Sequence, residues 1–177
     1  MTKAEIRAEI KRRIAALTKE QRREAAHSVA RKLTAFGWHG KRIMLYNALP
    51  DEVDLTEAAK LLGEDNELFY PAVVGDDMYA VPEGELHAGA FGILEPHGAH
   101  LTASEAALDI VVVPLRAFDA ECMRLGRGRG YYDRFFQGAA PSKVAVAFDQ
   151  QRVDCVPTEA HDVPVDAVVT PSEIYRI

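Results

Sequence analysis

Ile110-Val111-Val112-Val113, opened by Asp109, is four β-branched residues in a row with no polar position between them. A strand with one wet face alternates apolar and polar side chains, whereas a strand covered on both faces stays apolar throughout. This run therefore predicts a central strand over Asp109–Val113. Outward from it lie four more short runs rich in β-branched or aromatic residues: Arg42–Tyr46, Glu67–Tyr70, Lys143–Phe148 and Asp166–Thr170. Leu55–Leu62 and Tyr131–Gln137 read as helices between them. Strands alternating with helices predict an α/β fold: three layers, α/β/α, around a mostly parallel sheet. In such sheets ligands bind beyond the carboxyl ends of the strands, which directs attention to the segments after residues 46, 113, 148 and 170.

The N-terminal 36 residues follow a different period. Ile6, Ile10, Ile14 and Leu17 recur at spacings of four and three, the apolar stripe of a helix. Thr18-Lys19-Glu20-Gln21 has the capping-box pattern, in which threonine accepts from the third helical N–H and glutamine returns the bond. A second helix then turns Ala25, Val29, Leu33 and Phe36 inward, and Gly37 serves as its stop. The 177 residues fit one domain, 1–177, with two N-terminal helices (residues 1–36) packed on the α/β body.

Charge is unevenly distributed. Residues 1–36 carry ten Lys/Arg against four Glu, a net of +6, so the remainder carries −12 within a total of −6. A basic element over an acidic body suits a site that binds a polyanion; solvated helix faces are the alternative. No apolar stretch approaches the roughly 18 residues a membrane helix needs. The first residues also lack the apolar run of a secretory signal, so a cytoplasmic location is expected. Cys122 and Cys155 form no CxxC and read as two free thiols. The six histidines (27, 39, 87, 97, 100, 161) show no metal-ligand spacing.

The chemistry concentrates in Arg124-Leu125-Gly126-Arg127-Gly128-Arg129-Gly130, which leads into Tyr131-Tyr132-Asp133. Glycine lets the backbone approach a ligand and take positive φ, so several N–H groups can converge on phosphate oxygens. The helix starting near Tyr131 adds its positive end. Arg127 and Arg129 offer fork-shaped donors, and Asp133 stands where a carboxylate can hold a hard cation against phosphate. The pattern is neither a Walker A loop nor the dinucleotide fingerprint. The residues alone leave a flexible turn, or an arginine-glycine RNA contact, as other readings.

This decapeptide, Arg124 to Asp133, resembles the signature of the 5-formyltetrahydrofolate cyclo-ligase family, and other pieces match in order along nearly the whole chain. They are Lys3 and Arg7; Asp51-Glu52-Val53-Asp54; Glu95-Pro96; and, toward the C-terminus, Val144–Phe148, Gln151, Val156-Pro157, His161-Asp162 and Asp166–Thr170. The resemblance implies ATP contacts from Lys3, Arg7 and Arg124, Leu125, Gly126, Arg127, Gly128, Arg129, Gly130, Tyr131 and Tyr132. It implies magnesium (Mg2+) at Asp133 and Asp162. It implies folate contacts from Asn47, Glu52 and Arg127 through Tyr131, with Arg127, Arg129 and Tyr132 as catalytic candidates. The partner is then a small reduced folate, with no nucleic acid and no membrane. The sequence departs from the family at Leu115, Arg116 and Cys122, where glycine is usual, so a different path is expected for the loop feeding the phosphate site.

The implied reaction is ring closure on a folate. ATP phosphorylates the formyl oxygen, a nearby arylamine nitrogen attacks, and phosphate departs as a methenyl bridge forms. Such chemistry needs positioning and charge neutralisation more than a protein nucleophile. Glu52 is suited to the donor-rich pterin edge, with capping of the helix near Leu55 as the structural alternative. Tyr131 and Tyr132 could stack on a ring, although at least one should pack inward. A phosphate-handling isomerase on a similar scaffold, or a non-catalytic nucleotide- or RNA-binding module, stays open at this point.

Overall fold

Thr2 begins the first helix by accepting a hydrogen bond from the Glu5 N–H while the Glu5 carboxylate accepts from the Thr2 N–H. This is a capping box, and α1 (Lys3–Ala15) runs from it with Ile6, Ile10 and Ile14 buried. Thr18 and Gln21 repeat the device for α2 (Lys19–Thr34), which buries Ala25, Val29, Ala30 and Leu33. Gly37 follows in the left-handed region at φ +69°. These features appear in a computed structural model that describes residues 1–84, 86–88, 94–96, 98–160 and 162–177.

Beyond the two helices come β1 (Arg42–Met44), α3 (Thr56–Leu62), β2 (Glu67–Val74), β3 (Asp77–Pro82), β4 (Leu86–Ala88) and β5 (Leu94–Pro96). Then follow β6 (Ile110–Pro114), β7 (Ala117–Phe118), β8 (Arg124–Leu125), α4 (Tyr131–Phe135), β9 (Ser142–Val146), β10 (Ala167–Val169) and β11 (Ile174–Arg176). The main sheet among the described residues has seven strands in the order β11-β10-β9-β6-β1-β2-β3. Its five inner strands are parallel, with Ile43 opposite Ile110, Val112 opposite Val144 and Val144 opposite Ala167. The two edges, β3 and β11, are antiparallel to their neighbours.

The apolar run that predicted a central strand is β6, paired on both sides and buried from Ile110 to Val113. Its side chains divide between two cores, because successive residues of a strand point to opposite faces. Ile110 and Val112 join Ile43, Val144 and Val169 beneath α1, α2 and α3. Val111 and Val113 join Met44, Ala145 and Val168 beneath Phe135, the 103–108 segment and the β7–β8 hairpin. Three layers result, but the second outer layer holds mostly irregular chain and the five-residue α4.

Two differences from the sequence reading have local causes. β2 extends to Val74 because a hairpin supplies its ladder, with Gly75 at φ +62° and Asp76 as the two turn residues before β3. α4 stops at Phe135, and Gly138 at φ +78° takes the chain away. The order of strands also reverses between β1 and β6: the chain leaves β1 toward β2 and β3, then returns to the other side of β1. That reversal opens a crevice at the carboxyl ends of β1 and β6. No helix among the described residues is long and apolar enough to cross a membrane.

Candidate active site

The glycine-arginine loop leaves β8 at Gly126 and enters α4 at Gly130. Gly128 adopts φ +94° and Gly130 φ +67°, so the middle and last glycines use the left-handed region that side-chain-bearing residues avoid. Because α4 is a single turn, its contribution to anion binding is confined to a few unpaired N–H groups rather than a full helix dipole.

α1 lies against this loop. Arg7 Nε donates to the Gly126 carbonyl at 3.0 Å, and a Cβ built on Gly128 would stand 3.3 Å from an Arg7 terminal nitrogen. Four residues earlier on the same helix face, Lys3 Nζ reaches Asp162 at 3.3 Å and Glu159 at 3.1 Å. The Glu159 bond leads in raising the Lys3 ammonium above its ordinary value, and Asp162 adds to it. Arg124, mostly buried, donates to Asp133 Oδ1 at 2.6 Å, while Asp133 itself is exposed. The two proposed metal ligands are thus each neutralised by a cation. Carboxylate oxygens are hard donors of the kind a magnesium ion takes together with water and phosphate, so the chemistry of Asp133 and Asp162 fits the ion. No cluster of three or more metal-ligating side chains occurs among the described residues.

On the other side, Arg127 turns toward the acidic loop after β1. Its Nε and one terminal nitrogen donate to Glu52 Oε1 at 3.0 and 2.8 Å, and the same terminal nitrogen donates to Asp51 Oδ1 at 2.5 Å. Arg116, from the end of β6, donates to Asp51 Oδ2. Burial would raise the Asp51 carboxyl, but hydrogen bonds from Arg127 and Arg116 outweigh it and hold the group below its ordinary value. Glu52 does not cap α3. Its Oε2 accepts the Leu49 N–H at 2.9 Å, and Asp54 bonds the Thr56 N–H at the helix start instead. Arg129 is exposed and engages no partner among the described residues.

Asn47 is exposed at the mouth of a cavity of about 550 Å³ lined by Tyr46, Asp54, Lys60, Tyr70 and Glu83, among others. Tyr46 connects the cavity to the loops: its hydroxyl donates to the Val53 carbonyl at 2.9 Å, and its phenol is raised by burial, then by the nearby charges of Glu52 and Tyr132. Burial likewise pushes Tyr70 up to about 12, with Glu83 adding to the shift. Tyr131 and Tyr132 both pack partly against the second core. The Tyr132 phenol is raised by burial first and Glu52 second, with Arg124 opposing.

The fold therefore brings Arg7 to the glycine loop, Lys3 to Asp162, Arg124 to Asp133, and Arg127 across to Glu52. Asn47 stands one step away across Tyr46. Glu95-Pro96 falls in β5, of which the backbone alone is described, and His161 lies outside the described residues. Sequence reasoning missed Asp51 and Arg116 as ion-pair partners, and Asp119, whose buried carboxylate accepts from the Met123 and Val156 N–H groups at 3.0 and 2.9 Å. Gln151, noted in the C-terminal match, is buried and donates to the Leu115 and Arg116 carbonyls at 2.7 and 3.1 Å. Cys122 stands at φ +60°, the conformation a glycine would adopt freely, and is held there by bonds to Asp119 and Val165.

Comparison with known proteins identifies the family and the fold. Residues 1–171 match the 5-formyltetrahydrofolate cyclo-ligase family. A 5-formyltetrahydrofolate cyclo-ligase of Escherichia coli (strain K12) is 30% identical over 180 residues, covering 94% of this chain and 99% of its own. The structure of Aquifex aeolicus 5,10-methenyltetrahydrofolate synthetase superimposes with a TM-score of 0.83 at 34% identity, over 99% of this chain and 93% of that one. The Mycoplasma pneumoniae 5,10-methenyltetrahydrofolate synthetase shares the fold, with a TM-score of 0.80 at 23% identity and coverage of 97% and 99%. With all but its last six residues matched, the chain belongs to the 5-formyltetrahydrofolate cyclo-ligase family.

Proposed function

We propose that the chain converts 5-formyltetrahydrofolate to 5,10-methenyltetrahydrofolate with magnesium and ATP, releasing ADP and phosphate. One observation carries the reading: a positive-φ glycine loop is roofed by Arg7 of α1 and joined through Arg127 to the acidic loop at the β1/β6 crevice.

The formyl oxygen is a poor leaving group until it is phosphorylated. In the proposed first step this oxygen attacks the terminal phosphorus of ATP, and the bond to ADP breaks. In the second, the neighbouring arylamine nitrogen attacks the activated carbon and gives up its proton as phosphate leaves and the ring closes. The loop N–H groups from Gly126 to Gly130 bind phosphate oxygens, and Lys3, Arg7, Arg127 and Arg129 offset the charge. Asp133 and Asp162 would hold magnesium, which neutralises phosphate charge when bound. Glu52 orients the pterin through its N–H edge, and Asn47 and Tyr131 border the folate. Tyr132, kept protonated by its buried surroundings, is a hydrogen-bond donor beside Glu52 and Arg124. With Arg127 and Arg129 it forms the proposed catalytic set.

The test is an absorbance assay for methenyl-folate formation from 5-formyltetrahydrofolate. Turnover is expected with ATP and magnesium together, and loss of turnover when either is withdrawn. Ring closure at an unchanged rate without nucleotide and with chelator present would refute the mechanism. Turnover of a sugar phosphate without nucleotide would favour the isomerase reading instead.

A further inference from the structure

The proposed reaction asks two things of Arg127. It must neutralise transferring phosphate, yet the structure finds its guanidinium on the acidic loop, bonded to both Asp51 and Glu52. To serve phosphate it must leave two carboxylates that are not fully in water: the Asp51 side chain is 29% exposed and that of Glu52 is 7% exposed. Stranding a partly buried carboxylate costs far more than a surface pair gains.

Each carboxylate has its own second partner. Glu52 keeps the Leu49 N–H on Oε2, and under the proposed function the pterin N–H groups replace Arg127 at Oε1. Nothing in the substrate replaces Arg127 at Asp51. Arg116 fills that role, because it already holds Oδ2 while Arg127 holds Oδ1. The Arg116 side chain is 13% exposed and its backbone is fixed twice, by its N–H to the Leu125 carbonyl at 2.7 Å and by its carbonyl to Gln151 Nε2. Its main chain is thereby tied to β8, the strand that leads into the phosphate loop. Arg116 cannot follow Arg127 away; it stays and keeps Asp51 paired.

We propose that Arg116 is a positioning residue for the reaction: by holding Asp51 it releases Arg127 to pass from the acidic loop to phosphate. The cluster of Arg116, Arg127, Asp51 and Glu52 is formally neutral as found. When Arg127 departs, it carries one negative charge if Arg116 is present and two if Arg116 is absent. Without Arg116, Asp51 competes harder for Arg127, and nucleotide binding weakens. The chemistry that follows is unchanged once Arg127 has moved, so the effect falls on ATP affinity rather than on turnover at saturation.

This inference rests on the proposed cyclo-ligase reaction, so the parent protein is assayed first. Absence of magnesium-ATP-dependent turnover in the parent removes that reading; coupling absent from an active parent removes this inference alone. Arg116→Met is expected to raise the Michaelis constant for ATP about tenfold, with turnover at saturating ATP within about twofold of the parent. Asp51→Asn, which loosens the hold on Arg127, is expected to lower that constant about threefold. In the double variant, Arg116→Met no longer has a carboxylate to act through, and the constant should match that of Asp51→Asn, about threefold below the parent's. A merely structural role gives losses that add. An unchanged constant in Arg116→Met, or a double variant as weak as Arg116→Met, overturns the proposal. Should Arg116→Met fail to melt cooperatively, Asp51→Asn alone decides: weaker ATP binding than in the parent overturns it.

Discussion

Gly128 joins backbone conformation to binding. At φ +94° a side chain costs on the order of 1–2 kcal/mol in local strain, against a typical domain stability of roughly 5–15 kcal/mol. The new Cβ would also crowd the Arg7 guanidinium at 3.3 Å, a flexible group that can shift only by disturbing its bond to Gly126. Gly128→Val should therefore fold and melt cooperatively while calorimetry detects no ATP binding; binding as tight as the parent's would mean that phosphate lies elsewhere. Asp133 tests the metal assignment. Its side chain is 75% exposed and bonds Arg124 through one oxygen, which an amide oxygen can replace. Asp133→Asn should lower turnover at least tenfold, on the order expected when a hard carboxylate ligand becomes a neutral one. Its melting temperature should move by no more than a helix-end charge explains, about 0.3–1 kcal/mol. Near-parental turnover with a lowered melting temperature would reduce Asp133 to a helix-start residue.

At the scale of elements, one face of α1 carries two sets of side chains with separate tasks. Ile6, Ile10 and Ile14 are buried in the first core, while Lys3 meets Glu159 and Asp162 and Arg7 meets the glycine loop at Gly126. The two sets share one side of the helix, but the cations reach polar partners while the isoleucines pack in the core, so removing the cations should leave the apolar seam in place. Lys3→Ala with Arg7→Ala is expected to raise the Michaelis constant for ATP tenfold or more, the order of two lost charge-assisted contacts. Thermal unfolding should change little, since the Lys3 pair is partly exposed and such pairs contribute about 0–1 kcal/mol. Unchanged ATP dependence would make these residues ordinary solvated charges. The contrast between α1 and α4 also shows where periodicity stops being informative. Thirteen residues of stripe, with a capping box, define α1 locally. The five residues of α4 carry no such signal, and their boundary depends on Gly130 and Gly138.

For the whole molecule, nucleotide should act as a clamp between α1, the glycine loop and the acidic loop, elements far apart in sequence. A ligand that binds only the folded state stabilises it by about 2.7 kcal/mol at one hundred times its dissociation constant. Magnesium-ATP should accordingly raise the parent's melting temperature by several degrees, and calorimetric scans of Gly128→Val should show no such rise. An equal rise in both would place the nucleotide outside the loop. The uninterrupted β-branched run at Ile110–Val113, the stripes of α1 and α2 and the glycine-arginine decapeptide were determined by sequence alone, because each is a local pattern whose physical requirement is met within a few residues. The β2–β3 hairpin was nearly legible too, through Gly75-Asp76. The partners were not. Arg127 binds Glu52 across 75 residues, Arg116 binds Asp51 across 65 and Lys3 binds Asp162 across 159. Charges carry no periodicity, so nothing along the chain says which carboxylate an arginine will meet. The return of the chain to the far side of β1, which sets the ends of β1 and β6 side by side, decided the Arg127 and Arg116 pairings, and the packing of α1 on the body decided that of Lys3.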